Sequence, residues 1–144
     1  MQILCTLKNV KYFFGIFPSD LLPHSIIQPG TVIINADHHK EKVSHWLSIL
    51  FQRWSYSAYY FDSYCIAPFS PNILAFLRRT CTVWKFNTIQ LQGPTNVVCG
   101  KYCCLFAHFM DRVTPQNNSS APLILTSLTD RSINSSHQNS DRYP

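Results

Sequence analysis

Apolar and polar positions fall in blocks along this chain, and the length and period of each block select an element. Residues 31–36, TVIINA, follow the turn signal Pro29-Gly30. They are β-branched and apolar, and predict a buried strand. Residues 37–42 form a polar hairpin loop. Residues 43–51 predict a second strand, apolar on both faces as in a central strand covered from two sides. After a turn at 53–56, residues 56–64 predict a third strand, rich in tyrosine. Ser70 and Pro71 then pair a hydroxyl cap with a proline suited to the first helical position. Ile73, Leu74, Phe76 and Leu77 supply the i, i+3, i+4 stripe of a helix. Arg78 and Arg79 fall in its last turn, where positive charge suits the dipole. Residues 82–91 predict a fourth strand. Residues 99–110 predict a helix that is apolar nearly all round, and therefore buried at the centre with strands packed around it. The ends are less regular. Residues 1–15 fit a short helix or a strand equally. Residues 16–23 hold Pro18 and Pro23 around Ser19 and Asp20, a turn region with room for one helical turn capped by Ser19. The expected architecture is α+β, a mixed central β-sheet packed around a buried helix.

The 144 residues suffice for one domain with a proper core and hardly for two. From residue 113 the composition turns to Ser, Asn, Gln, Thr and Pro. LILTSL at 123–128 is its one apolar patch. The domain is thus expected over 1–112, with 113–144 a polar tail too poor in apolar surface to offset chain entropy, and hence disordered. No run reaches the roughly 18 apolar residues of a membrane span. The N-terminal stretch has scattered lysines and no small-residue cleavage site, so secretion is not expected. The six cysteines then stay reduced inside a cell, and the sequons at Asn117, Asn118 and Asn134 carry no meaning. The formal charge of +5 is spread thinly, with no block of like charges forming a nucleic-acid arm. A monomer is expected.

The chemistry concentrates in QLQGPTNVVCGKYCCLFAHFM, residues 90–110. A polar loop punctuated by Gly93 and Pro94 runs straight into an apolar helix, with Cys99 at the junction. A helix mouth presents unpaired N–H groups and a positive dipole end, which favour a thiolate. Gly100 leaves a substrate room to approach. The competing reading is a buried cysteine acting as a small hydrophobe. A nucleophilic cysteine needs a base and an orienting group. His45 and Asp62 each sit on an apolar run and suit those roles. The competing readings are a core histidine and a turn aspartate bonded to its own backbone. Gln92 precedes Cys99 closely enough to serve the same pocket as an oxyanion donor, with Gln90 as its bland competitor. Cys103 and Cys104 extend a CxxxCC spacing that is no zinc pattern and reads as core thiols. His38 and His39 with the cysteines offer ligands in principle, yet no metal is expected. His108 reads as a helix-surface or pocket-edge residue.

The order His45, Asp62, Gln92, Cys99 resembles the adenovirus-type cysteine protease (adenain) family, as found in adenoviruses and Polinton/Maverick-like mobile elements. More distantly it is similar to the ubiquitin-like and SUMO proteases. LQGPTNVVCGKYCCLFAHF resembles the adenain active-site loop and helix, while GIFPSDLLP and YFDSY resemble the element-encoded relatives. The likeness covers residues 12 to 112. It implies a papain-like arrangement and a cysteine endopeptidase that cuts viral or mobile-element precursor proteins near small residues such as glycine. It implies Cys99 as nucleophile, His45 as base and acid, Asp62 as its orienter, Gln92 as oxyanion donor and Trp46 as a wall of the substrate groove. The interval from Cys81 to Cys99 matches the family cysteine that forms a disulfide with an activating peptide, although a buried thiol is the simpler reading of Cys81. DNA is a cofactor in the family, so DNA binding is an expectation too, and the host nucleus or virion is the implied location. Two departures stand out. Cys65 replaces the glycine that follows the aspartate motif, and the chain is short after the catalytic helix. Two other classes remain: an isopeptidase acting on ubiquitin-like tails, and an inactive remnant or DNA-binding particle component.

Overall fold

A computed structural model of the chain describes residues 7–42, 45–52, 56–113 and 131–134. Its centre is a mixed sheet whose strands lie in chain order: β1 (Phe13–Pro18), β2 (Gly30–Asn35), β3 (Trp46–Phe51), β4 (Ser57–Phe61), β5 (Val83–Phe86) and β6 (Arg131–Asn134). β1 runs parallel to β2, and β4 parallel to β5. The other neighbouring pairs are antiparallel. Helix α1 (Pro71–Thr80) makes the crossover that the parallel β4–β5 pair requires. Helix α2 (Cys99–Val113) follows β5. The class is α+β, as the sequence predicts.

Side-chain alternation assigns the two helices to opposite faces of the sheet. Val32, Ile34, Leu47, Ile49, Phe51, Ala58, Tyr60, Trp84 and Phe86 pack with Ile73, Phe76 and Leu77 of α1. Ile33, Leu50, Tyr59 and Phe61 meet Cys103, Phe106, Ala107 and Met110 of α2. Apolar residues on both faces of β2 and β3 are thus the mark of strands covered on both sides. Every residue of β2 is buried.

Three expectations change. α2 is not enclosed by strands. It lies on one face of the sheet and leaves Lys101, Leu105, Phe109 and Arg112 exposed at helical spacing. The apolar character of Leu105 and Phe109 concealed that outer edge. Second, residues 131–134 pair with β5 as an edge strand, so the region assigned to a disordered tail contributes to the sheet. The patch at 123–128 lies outside the described residues, as do the sequons at Asn117 and Asn118. Third, strands are shorter than the apolar runs. β3 begins at Trp46, so His45 immediately precedes it, and β5 ends at Phe86, so residues 87–98 are loop. At the other edge Ile16, Phe17 and Pro18 belong to β1, and the turn begins at Ser19. Ser70 occupies the cap position of α1 without a side-chain cap bond. No helix among the described residues is long and apolar enough to cross a membrane.

Candidate active site

β3 and β4 are antiparallel neighbours, with Ser48 opposite Phe61. The residue before β3 and the residue after β4 therefore leave the sheet at the same end. These are His45 and Asp62. His45 Nε2 donates to Asp62 Oδ2 at 2.7 Å. The carboxylate side chain is 1% exposed and the imidazole 15%. Burial of that carboxylate is tolerable because it is paired and further bonded: its Oδ1 accepts from the Tyr64 N–H at 2.8 Å. In the neutral tautomer that donates from Nε2, the other ring nitrogen carries the lone pair. His45 Nδ1 is buried and has no hydrogen-bond partner. The ring is thus oriented by Asp62 and keeps one nitrogen without a partner.

The surroundings hold this pair in place. Asn87, just past β5, accepts from the Asp62 N–H at 2.9 Å and donates to the Asp62 carbonyl at 2.7 Å, extending the β4–β5 ladder by one side chain. The Ser63 carbonyl accepts from Leu91 N–H and Gln92 N–H. The Tyr64 ring lies 5.2 Å from the His45 ring, centroid to centroid. Cys65 adopts φ 63°, the left-handed conformation that glycine takes without strain. The turn after Asp62 therefore keeps a glycine-like backbone although glycine is absent, and the Cys65 thiol bonds the Asn87 carbonyl at 3.1 Å.

Gln92 is 1% exposed, which rules out the reading of a loop side chain in water. Its Oε1 accepts from Ser63 Oγ at 2.7 Å. Its Nε2 donates to Tyr64 Oη at 2.9 Å and to the Asn96 carbonyl. Both amide hydrogens are thus engaged, one of them by a main-chain carbonyl oxygen. Tyr64 Oη donates to that same carbonyl at 2.8 Å. Gln90 bonds only the Gln92 carbonyl.

Cys99 is the first residue of α2 and is buried. Lys101 and Tyr102 N–H groups donate to the Val98 carbonyl, closing the first turn around it. No hydrogen bond joins its sulfur to His45. Cys103 lies one turn further on, and its carbonyl accepts from Ser48 Oγ at 3.5 Å. Burial pushes its thiol far up, Ser48 opposes, and Cys99, Cys104 and Asp62 are near enough to push it further. Cys103 and Cys104 are core thiols, as expected. Trp46, half-buried at the start of β3, packs on the same cluster. Cys81 closes α1, buried, its thiol bonded to the Leu77 carbonyl at 3.1 Å and pushed up to about 11 by burial. A peptide cysteine has no access to it in this conformation. Ser63, Tyr64, Asn87 and Asn96 were not singled out from sequence. Tyr64 lies inside the YFDSY motif and was legible there. The others act on partners far along the chain and carry no local signal.

Fold and site together define an α+β protein with a buried carboxylate–imidazole pair at one end of its sheet and a buried thiol in the first turn of α2. Compared with protein-family models, the chain matches none.

Proposed function

We propose that this chain is a cysteine endopeptidase of the adenain type with a papain-like division of its site, thiol on a helix and base on the sheet. The observation that carries the reading is the buried His45–Asp62 pair with Nδ1 left open. In the proposed reaction Nδ1 takes the Cys99 proton and the sulfur attacks the scissile carbonyl carbon. Asp62 keeps the ring oriented and stabilises the imidazolium. The tetrahedral oxyanion is met by the Cys99 N–H and Gln92 Nε2. Nδ1–H then protonates the leaving amine, and water hydrolyses the thioester with His45 again as base.

Gln92 adds a condition. Its two hydrogens are held by Tyr64 Oη and the Asn96 carbonyl, so substrate must displace one of these acceptors before the amide can serve the oxyanion. The loop of residues 93–96 is then part of the substrate response rather than a passive rim. Trp46 and the 93–96 loop are proposed as groove walls. Viral or mobile-element precursors cut near glycine are the proposed substrates, on the strength of the resemblance. DNA as a rate-enhancing cofactor is proposed on the same ground, whereas the burial of Cys81 weighs against an activating-peptide disulfide there.

Thiol labelling tests the reading. At mildly acidic pH, iodoacetamide is expected to modify Cys99 ahead of Cys5 and Cys81, and His45→Ala is expected to remove that preference. Equal labelling of all accessible thiols would sink it and leave the inactive remnant. Capture of Cys99 by a ubiquitin-tail electrophile would move the assignment to an isopeptidase.

A further inference from the structure

Beside the β2–β3 loop, two histidines and an aspartate converge without serving the proposed chemistry. Asp20 belongs to the turn that follows β1, and His38 and His39 to the loop that follows β2. Their parallel strands bring these two loops to one end of the sheet. His38 Nε2 lies 3.0 Å from Asp20 Oδ2, and His39 Nδ1 lies 2.5 Å from the same oxygen. The three ligand atoms all fall within 4.8 Å of one another. We propose that Asp20, His38 and His39 bind a divalent transition-metal ion, with zinc the best fit.

The donor set selects the metal class. Two imidazoles and one carboxylate suit zinc and its first-row neighbours, whereas magnesium and calcium require oxygen ligands. Zinc bonds to nitrogen and oxygen run about 2.0–2.2 Å. Tetrahedral ligands then stand roughly 3.4 Å apart by the same bond lengths. Both ring nitrogens stand closer to the carboxylate oxygen than that figure, at 3.0 and 2.5 Å, so the exposed rings rotate outward to admit the ion.

The carboxylate is already set for the task. Its Oδ1 accepts from the His39 N–H at 2.7 Å, which leaves Oδ2 to the rings. Its side chain is 12% exposed, against 45% and 38% for His38 and His39. Such outer bonds orient a ligand and raise its affinity for metal. The two loops are also tied beside it, through Ser19 N–H and Oγ donating to the Asp37 carbonyl at 3.3 and 3.1 Å. His38 Nδ1 accepts from the Lys40 N–H at 3.3 Å, a long exposed bond that coordination through Nε2 would exchange for the metal bond. Three protein ligands leave a fourth position to water. The ion would clamp the turn after β1 to the loop that ends in His45, whose carbonyl accepts from the Ala36 N–H. The sequence suggested His38 and His39 as ligands beside cysteines. Asp20 is the partner the fold supplies instead.

Calorimetric titration of the full reduced chain with Zn²⁺, and absorbance with Co²⁺, test this without reference to proteolysis. The expected result is one ion per chain, cobalt d–d bands without a thiolate charge-transfer band, and affinity unchanged in Cys99→Ala. Asp20→Asn, His38→Gln and His39→Gln are each expected to weaken binding at least about tenfold. The two histidines sit at the surface and Asp20 is partly buried, so unchanged circular dichroism would confirm that each variant folds. Absence of binding would overturn the proposal and leave an ordinary hydrogen-bonded cluster. So would a thiolate band, loss of binding in Cys99→Ala, or affinity indifferent to Asp20→Asn.

Discussion

Single residues at this site are held by partners distant in sequence, and Cys65 shows what that costs. Its φ of 63° is a conformation in which a Cβ is strained by about 1–2 kcal/mol. The backbone is imposed by the hydrogen bonds around it: Cys65 N–H to the Asp62 carbonyl, and Asn87 to both main-chain groups of Asp62. Cys65→Gly and Cys65→Ala both lose the thiol bond to Asn87, but only glycine relieves the strain. Glycine's greater freedom in the unfolded chain subtracts part of the gain. Cys65→Gly is therefore expected to be more stable than Cys65→Ala by about 0.5–1 kcal/mol in urea unfolding, the reverse of the usual order of the two residues. Equal stabilities would mean that the turn relaxes to negative φ. The pairing of His45 with Asp62 was legible because each sets a polar group on an apolar run. Asn87 and Ser63 were not, because a polar residue in a loop gives no hint that its partner stands at the end of another strand.

Elements were read well where both faces are buried and poorly where one apolar face meets water. The β2 and β3 runs have no second interpretation, since a strand with solvent on one face would alternate. α2 misled because Leu105 and Phe109 look like core. Their spacing with Lys101 and Arg112 was the clue to an outer edge, and the fold leaves Leu105 64% exposed. β6 was missed because RSIN is short and mostly polar, and its pairing with β5 leaves no local sequence signal. The two sides of α2 make a direct comparison. Met110, 1% exposed against Leu50 and Tyr59, should lose about 2–5 kcal/mol on substitution by alanine. Leu105→Ala should change stability by less than about 0.5 kcal/mol. Urea midpoints of the two variants decide it, and a large loss at Leu105 would show that the outer edge is covered in solution.

At the scale of the whole molecule, the cysteines couple the fold to alkaline pH. Burial raises the Cys81, Cys103 and Cys104 thiols, and Cys81 is pushed up to about 11. A thiol whose pKa is higher folded than unfolded keeps its proton in the native state after the unfolded chain has lost it. The native state then binds more protons, so stability must fall as pH rises. The contribution is fully present below the ordinary thiol value of 9.0 and is lost as pH climbs through about 11 for Cys81. Burial also raises the Tyr59 and Tyr60 hydroxyls, which add to the decline above the ordinary tyrosine value of 10.0. The unfolding free energy is therefore expected to decline from about pH 9 to about pH 11. Cys81→Ala should be less stable than the parent at pH 7, because a buried group is removed. Its decline with pH should nevertheless be shallower. Urea unfolding of both chains across that range measures the two slopes. Parallel slopes would mean that the Cys81 thiol ionises as easily in the folded chain as in the unfolded one, which its seat beneath the end of α1 and its bond to the Leu77 carbonyl argue against.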